Sequence, residues 1–112
     1  MLEQSEDALQ REWREELNTD INVGRLVWVV ENFFKEGDRD FHEVGMYYMI
    51  NLPANSSLLN FKEYTCTDGP VTLRFRWFPL SDIVRLEIHP LFLKKGLLHI
   101  PECTEHVIWN DH

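Results

Sequence analysis

Three carboxylates fall at helical spacing within one short stretch, Arg11-Glu12-Trp13-Arg14-Glu15-Glu16. On a helix, at roughly 100° per residue, Glu12, Glu15 and Glu16 lie within an arc of about 100°, while Leu9, Trp13 and Leu17 form an i, i+4 apolar stripe on the adjoining face. This pattern predicts a helix that docks its stripe on a sheet and leaves the carboxylates along one edge. Like charges three and four residues apart cost roughly 0.2–0.5 kcal/mol per pair, so the glutamates weaken their own helix. A bound divalent cation would remove that cost. Hard cations such as magnesium take a few carboxylates and complete their shell with waters and substrate phosphates. The same spacing also describes a solvated acidic face eased by Asp7–Arg11 and Arg11–Glu15 pairs, and spacing alone does not choose between the two. Other hydrolytic chemistries find no support, because the chain has no P-loop and no G-x-S-x-G. His42 and His89 have no companion at metal-ligand spacing and read as structural.

The elements that must hold this stretch can be read from its surroundings. Ser5 to Leu17 is predicted helical, with Ser5 as N-cap, Glu6 and Asp7 where the helix dipole favours anions, and Asn18 as a left-handed stop. Arg25 to Phe34 is apolar and β-branched or aromatic, the pattern of a well-buried strand. Lys35 to Asp40 reads as a polar turn and His42 to Leu52 as the return strand of a hairpin. Pro53 to Pro70 reads as a long loop, a kind more often functional or mobile than decorative. Leu73 to Phe78 alternates apolar and basic residues, as a half-exposed strand does. Pro79 to Ile83 reads as a turn into a short helix, and His89-Pro90 as the start of another that ends at Gly96. Val107-Ile108-Trp109 completes the set as a short strand. The class is mixed α/β with antiparallel pairing.

Composition sets the outer bounds. The 112 residues carry 19 Asp+Glu against 11 Lys+Arg, a formal net charge of −8, with 44% hydrophobic and 12% aromatic residues. That is one small domain, residues 1–112, with enough apolar matter for a core. Such acidity disfavours nucleic acid polymers and anionic membranes as partners, since both attract clustered Lys and Arg. No apolar run approaches the roughly 18 residues of a membrane span, and the acidic Met1-Leu2-Glu3-Gln4-Ser5-Glu6-Asp7 is unlike a signal peptide. Both observations point to the cytoplasm. Cys66 and Cys103 fit no metal or redox pattern and are expected to be reduced, and the Asn55-Ser56-Ser57 glycosylation acceptor carries little weight without export.

Glu3, then seven residues, then Arg11-Glu12-Trp13-Arg14-Glu15-Glu16 resembles the Nudix box, G-x5-E-x7-R-E-U-x-E-E-x-G-U with U bulky and apolar. Glu31-Asn32-Phe33-Phe34, His42-Glu43-Val44-Gly45 and Trp77-Phe78-Pro79-Leu80 are similar to later parts of the same family. The resemblance departs at two places. Asn18 and Thr19 stand at the late glycine and the apolar position after it, and the opening glycine would lie six residues before Glu3. An α/β/α sandwich with a mixed sheet, lacking its opening strands, is what the resemblance implies.

The resemblance also implies a reaction: metal-dependent hydrolysis of a nucleoside diphosphate linked to another moiety, with Mg2+ or Mn2+. Carried over position by position, Glu15 and Glu16 become the main metal ligands and Glu12 a further ligand or a positioner of the attacking water. Arg11 becomes a brace for Glu3 or for a ligand carboxylate, with an ordinary exposed helix pair as its alternative. Glu43 and Glu63 are the candidate general bases outside the box, although a solvated surface residue is the commoner role for each. Trp28, Phe33, Phe34, Tyr47 and Tyr48 are the aromatics near enough to meet a base, though strand aromatics commonly serve as core. A non-catalytic nucleotide-binding or oligomerising module is the second reading, and a coincidental box in a plain acidic domain the third. Absent strands would leave an edge and apolar surface to cover, which predicts a homodimer.

Overall fold

The computed structural model describes residues 3–110. Its elements are helix α1 (Ser5–Leu17), strands β1 (Asn22–Glu36) and β2 (Arg39–Asn51), a 3-10 turn (Ser57–Asn60), strands β3 (Glu63–Asp68) and β4 (Val71–Arg76), a second 3-10 segment (Leu80–Arg85), helix α2 (Leu93–Gly96) and strand β5 (Glu105–Asn110). One sheet has the order β2-β1-β5 and a second consists of β3 and β4. The two-residue link Gly37-Asp38 between β1 and β2 is one that only antiparallel neighbours can make, whereas β5 runs parallel to β1, with Trp28 opposite Glu105 and Phe33 opposite Asn110. The expected α/β class with a mixed sheet is what the chain forms. It divides into two compact units, one comprising the residues up to Gly24 with Ile50–Trp77, the other Arg25–Met49 with the residues from Phe78 on.

In the first unit, α1 has the predicted bounds. Asn18 ends it in the left-handed conformation (φ 49°, ψ 42°), its N–H bonded to the Arg14 carbonyl at 3.0 Å. The N-cap is Gln4 rather than Ser5, because the helical ladder already begins with Ala8 N–H on the Gln4 carbonyl at 3.0 Å. Thr19, at a box position that is usually apolar, is buried, and its hydroxyl is satisfied by donating to the Leu17 carbonyl at 2.9 Å.

Pro53–Pro70 is not a loop. It contains the 3-10 turn and β3, which pairs antiparallel with β4. The alternation is short and broken by polar residues, so the strand shows only once its partner is in place. Gly69 (φ 60°) makes the tight connection. Tyr64 faces Phe75 and Cys66 faces Leu73 across the pair, all half-buried, while Arg74 and Arg76 are exposed.

The second unit is built on an aromatic triad. The ring centroids of Trp28, Tyr47 and Phe92 lie 5.5–6.2 Å apart in edge-to-face contacts. Around the buried Val27, Trp28, Val30 and Phe92 pack Leu93, Leu97, Val107 and Trp109. Gly96 is required by this packing, since a Cβ there would meet the Trp28 ring at 3.0 Å. The expected polar turn shrinks to Gly37-Asp38 because the strand ladder continues through its charged neighbours. The helix expected from Pro90 is confined to Leu93–Gly96, since the preceding bonds, Leu93 N–H to Pro90 and Lys94 N–H to Leu91, both at 3.1 Å, close i→i−3 turns. Cys66 and Cys103 are both free.

On the other face of the three-stranded sheet, Glu31 of β1 bridges two neighbouring strands. Its carboxylate accepts from His106 Nε2 at 2.7 Å and from His42 Nε2 at 3.1 Å. Chiefly through the His106 hydrogen bond, the Glu31 carboxyl is held below its ordinary value of 4.5. A carboxyl depressed in the folded state stabilises above its unfolded value and loses that contribution as pH falls through the folded one. Thermal melts between neutral and acid pH should therefore show a smaller loss for Glu31→Gln than for the wild type below pH 4.5, and parallel losses would contradict the pairing. At the end of α1, Asn18→Gly should be close to neutral and Asn18→Val should cost roughly 1–2 kcal/mol in urea unfolding, because a β-branched residue resists the left-handed conformation. Equal stability of the two variants would refute this role.

Candidate functional site

The helix stripe determines where the glutamates go. Trp13 and Leu17 meet Leu58, Tyr64, Phe75, Arg76 and Trp77 around a small apolar cavity of about 130 Å³, so α1 lies against the β3–β4 hairpin of its own unit. The segment between β2 and β3 is tied to the same hairpin through one carbonyl. Leu58 is buried, and its oxygen accepts from the Trp77 indole at 2.9 Å and from the Tyr64 hydroxyl, whose single proton is shared with the Ser57 carbonyl at 3.2 Å. Ser56 caps the 3-10 turn by accepting from Leu58 N–H at 3.3 Å.

These ties shape a solvent-open hollow of about 570 Å³ beside the end of α1. Glu15 and Glu16 line it from the helix, Glu63 and Thr65 from β3, and Ser57, Phe61 and Tyr64 complete its border. Two sequence candidates from α1 and one from beyond the box are thus brought to one place. Glu12 does not line the hollow. Glu43 belongs to the second unit, where it borders a different hollow with Asn32 and His89. Phe61, Ser57 and Thr65 had no signal in the sequence, since the segment that carries them read as loop.

The charges in the hollow are partly compensated. Arg11 sits between two acids, its Nε 3.0 Å and 3.1 Å from the Glu3 oxygens and a terminal nitrogen 3.0 Å from Glu15 Oε2. The Glu3 bond, then the Glu15 bond, raises the guanidinium above its ordinary value. Arg74 pairs with Glu63 across the hairpin, with Nε at 3.0 Å. Glu12 and Glu16 form no ion pair among the described residues, and Glu16 is half-buried. No three His, Cys, Asp or Glu side chains among the described residues are gathered tightly enough to hold a metal ion. The donor set nevertheless suits a hard divalent cation. Glu15, Glu16 and Glu63 offer only oxygens to one hollow, the hydroxyl-bearing Ser57, Tyr64 and Thr65 line it with them, and solvent has free access to complete a coordination shell.

The aromatics expected near a base separate into two groups. Trp28 and Tyr47 are core. Phe33 stacks on His42 at 4.4 Å and Phe34 on Phe41 at 5.3 Å. No helix among the described residues is long and apolar enough to cross a membrane.

No curated protein matches the chain. The NUDIX domain family model, in contrast, matches residues 2–98, a span that includes α1, its glutamates and the hollow beside them. The chain belongs to the Nudix family.

Proposed function

We propose that the chain is a Nudix pyrophosphohydrolase that cleaves the phosphoanhydride of a nucleoside diphosphate linked to another moiety. The observation that carries this reading is the convergence of Glu15 and Glu16 from α1 with Glu63 from β3 on one open hollow, within the segment that matches the family. Since that match extends through residues of both units, the two are read as parts of one domain. The free cysteines suit a reducing, cytoplasmic compartment.

In this reading Glu15 and Glu16 hold the cation, with Glu12 as a further ligand or as a positioner of water. Magnesium or manganese, when bound, neutralises charge on the phosphate oxygens and makes a coordinated water more acidic. Glu63 is the general base favoured by its place on the hollow, and Glu43 is the second candidate. Arg11 is a positioning residue. By holding Glu3 and Glu15 at once it keeps the first and last parts of the motif in register, a role that a fixed bidentate donor fills better than a lysine. Both Arg74 bonds go to Glu63 Oε1, so the other carboxylate oxygen can accept a proton while the pair is kept.

A second reading, a nucleotide-binding or oligomerising module without catalysis, is favoured by one observation: Glu15 and Glu63 are paired with arginines rather than gathered with Glu16 around an ion position. Release of phosphate or nucleotide from a panel of nucleotide substrates with magnesium separates the two. Hydrolysis should appear, vanish with chelator and return with excess magnesium. Glu15→Gln and Glu16→Gln should each lower it by about a hundredfold or more, the scale of losing one preorganised charge contact. Unchanged turnover in these variants would overturn the ligand assignment, and binding without release would favour the second reading.

A homodimer also belongs to this proposal. By strand alternation Val44, Met46 and Ile108 share the sheet face of His42, Glu31 and His106, and they are 59%, 52% and 65% exposed. Exposed apolar side chains on a sheet face are commonly covered by another copy. Light scattering at micromolar concentration should give twice the chain mass, and a stable monomer would contradict the assembly.

A further inference from the structure

Strand β2 runs for 13 residues, well beyond the usual length, and stands at one end of the three-stranded sheet, so among the described residues no strand pairs with its outer edge. Sheet edges are ordinarily blunted by charge, proline, a bulge, brevity or a covering element. β5, at the opposite end, is short and opens with Glu105 and His106. β2 has neither lysine nor proline, and from Val44 to Ile50 it is uncharged and largely apolar, the composition of a strand that seeks a partner. Val44, Met46 and Met49 along it are exposed. Which backbone groups look outward follows from the hairpin. The stacking of Phe33 on His42 and of Phe34 on Phe41, and the edge-to-face contact of Trp28 with Tyr47, fit one register, in which Glu36 and Arg39 flank the two-residue link. The flanking pair of such a hairpin exchanges both of its bonds, so alternation turns the backbone groups of Phe41, Glu43 and Gly45 toward β1 and those of His42, Val44, Met46 and Ile50 toward the outer edge.

The charge pattern of β2 identifies what fits that edge. Arg39, Asp40 and Glu43 all lie in its first half, and its second half is uncharged. Two copies of β2 running antiparallel about Gly45 overlap over their whole length and set every one of these charges opposite an uncharged residue. Arg39 meets the partner's Asn51, Asp40 the partner's Ile50 and Glu43 the partner's Tyr47. A parallel, in-register pairing would instead put each charge against its own kind. In the antiparallel one Val44 exchanges both bonds with the partner's Met46, because both present their backbone groups outward. The Val44 and Met46 side chains of the two copies then meet on the sheet face that also carries Ile108. Resting on the homodimer proposed above, and going beyond it to the contact that makes it, we propose that two copies of the chain join edge to edge through β2, which turns their two three-stranded sheets into one.

Spin labels on Arg39→Cys or Met49→Cys, in a Cys66→Ser/Cys103→Ser background of the full chain, report the pairing by pulsed dipolar spectroscopy. Met49 lies opposite the partner's Phe41 and Arg39 opposite the partner's Asn51, which at about 3.4 Å per residue puts the labelled backbones about 27 Å and about 41 Å apart. Met46→Pro removes a donor from the outer edge alone, where a strand tolerates proline, and leaves the bonds to β1 in place. It should raise the concentration at half dissociation at least about tenfold, the scale of the hydrogen bonds lost about the two-fold axis. Met46→Leu keeps that donor and should associate as the wild type does. A monomeric wild type would overturn the homodimer and this contact together. A dimer with other label spacings, or a folded Met46→Pro that associates as tightly as the wild type, would overturn the contact and leave the dimer standing, and the spacings decide whether or not the proline variant folds.

Discussion

Crowding of negative charge on α1 is the constraint from which the first unit follows. Glu12, Glu15 and Glu16 lie within one helical arc, and without compensation that arc opposes the helix that carries it. Arg11 meets the difficulty by holding Glu15 one turn on and Glu3 before the helix begins. The bond to Glu3 also fixes how the chain enters α1, where Gln4 makes no side-chain cap of its own. As an exposed pair it adds little stability. Its value lies in position, because it leaves Glu16 without an ion-pair partner beside a hollow and Glu15 within reach of the same place.

What the acids face is decided by apolar and hydrogen-bonding forces on the hairpin. Trp13 and Leu17 turn the helix so that the carboxylates lie at the margin of the contact with β3 and β4. The Leu58 carbonyl, with two side-chain donors, holds the 3-10 turn against that hairpin and so sets the far border of the hollow. In the second unit an edge-to-face aromatic triad does the corresponding work. It orders β1, β2 and α2 around Trp28 so closely that a side chain larger than hydrogen is not accommodated at position 96.

The sequence was legible where the signal was local. Helical periodicity with Asn18 at its end gave α1 to the residue, and a run of β-branched and aromatic residues gave the body of β1. It was less legible where structure depends on a partner. β3 has no local signature because Glu63–Asp68 acquires its strand character from pairing with β4, and the charged ends of β1 and β2 resemble a turn because such residues are tolerated at an exposed hairpin tip. Residue type favours Ser5 as the cap, whereas the position of the first backbone bond decides for Gln4. Of the site, the candidate box residues come from the family resemblance, since their spacing alone also describes a solvated acidic face. That Glu63 would join Glu15 and Glu16 while Glu12 would not, and that Phe61 would border them, follows from the tertiary fold of the hairpin and had no local signature.

The central claim, that the glutamates of α1 collect a divalent cation, is tested most directly by manganese titration followed by electron paramagnetic resonance. Adding the chain to Mn2+ should suppress the free-ion signal until the sites are filled. The Glu15→Gln/Glu16→Gln double variant, folded by circular dichroism, should leave that signal nearly at the level of the ion alone. Equal uptake by both proteins, or no uptake by the wild type, would contradict the account.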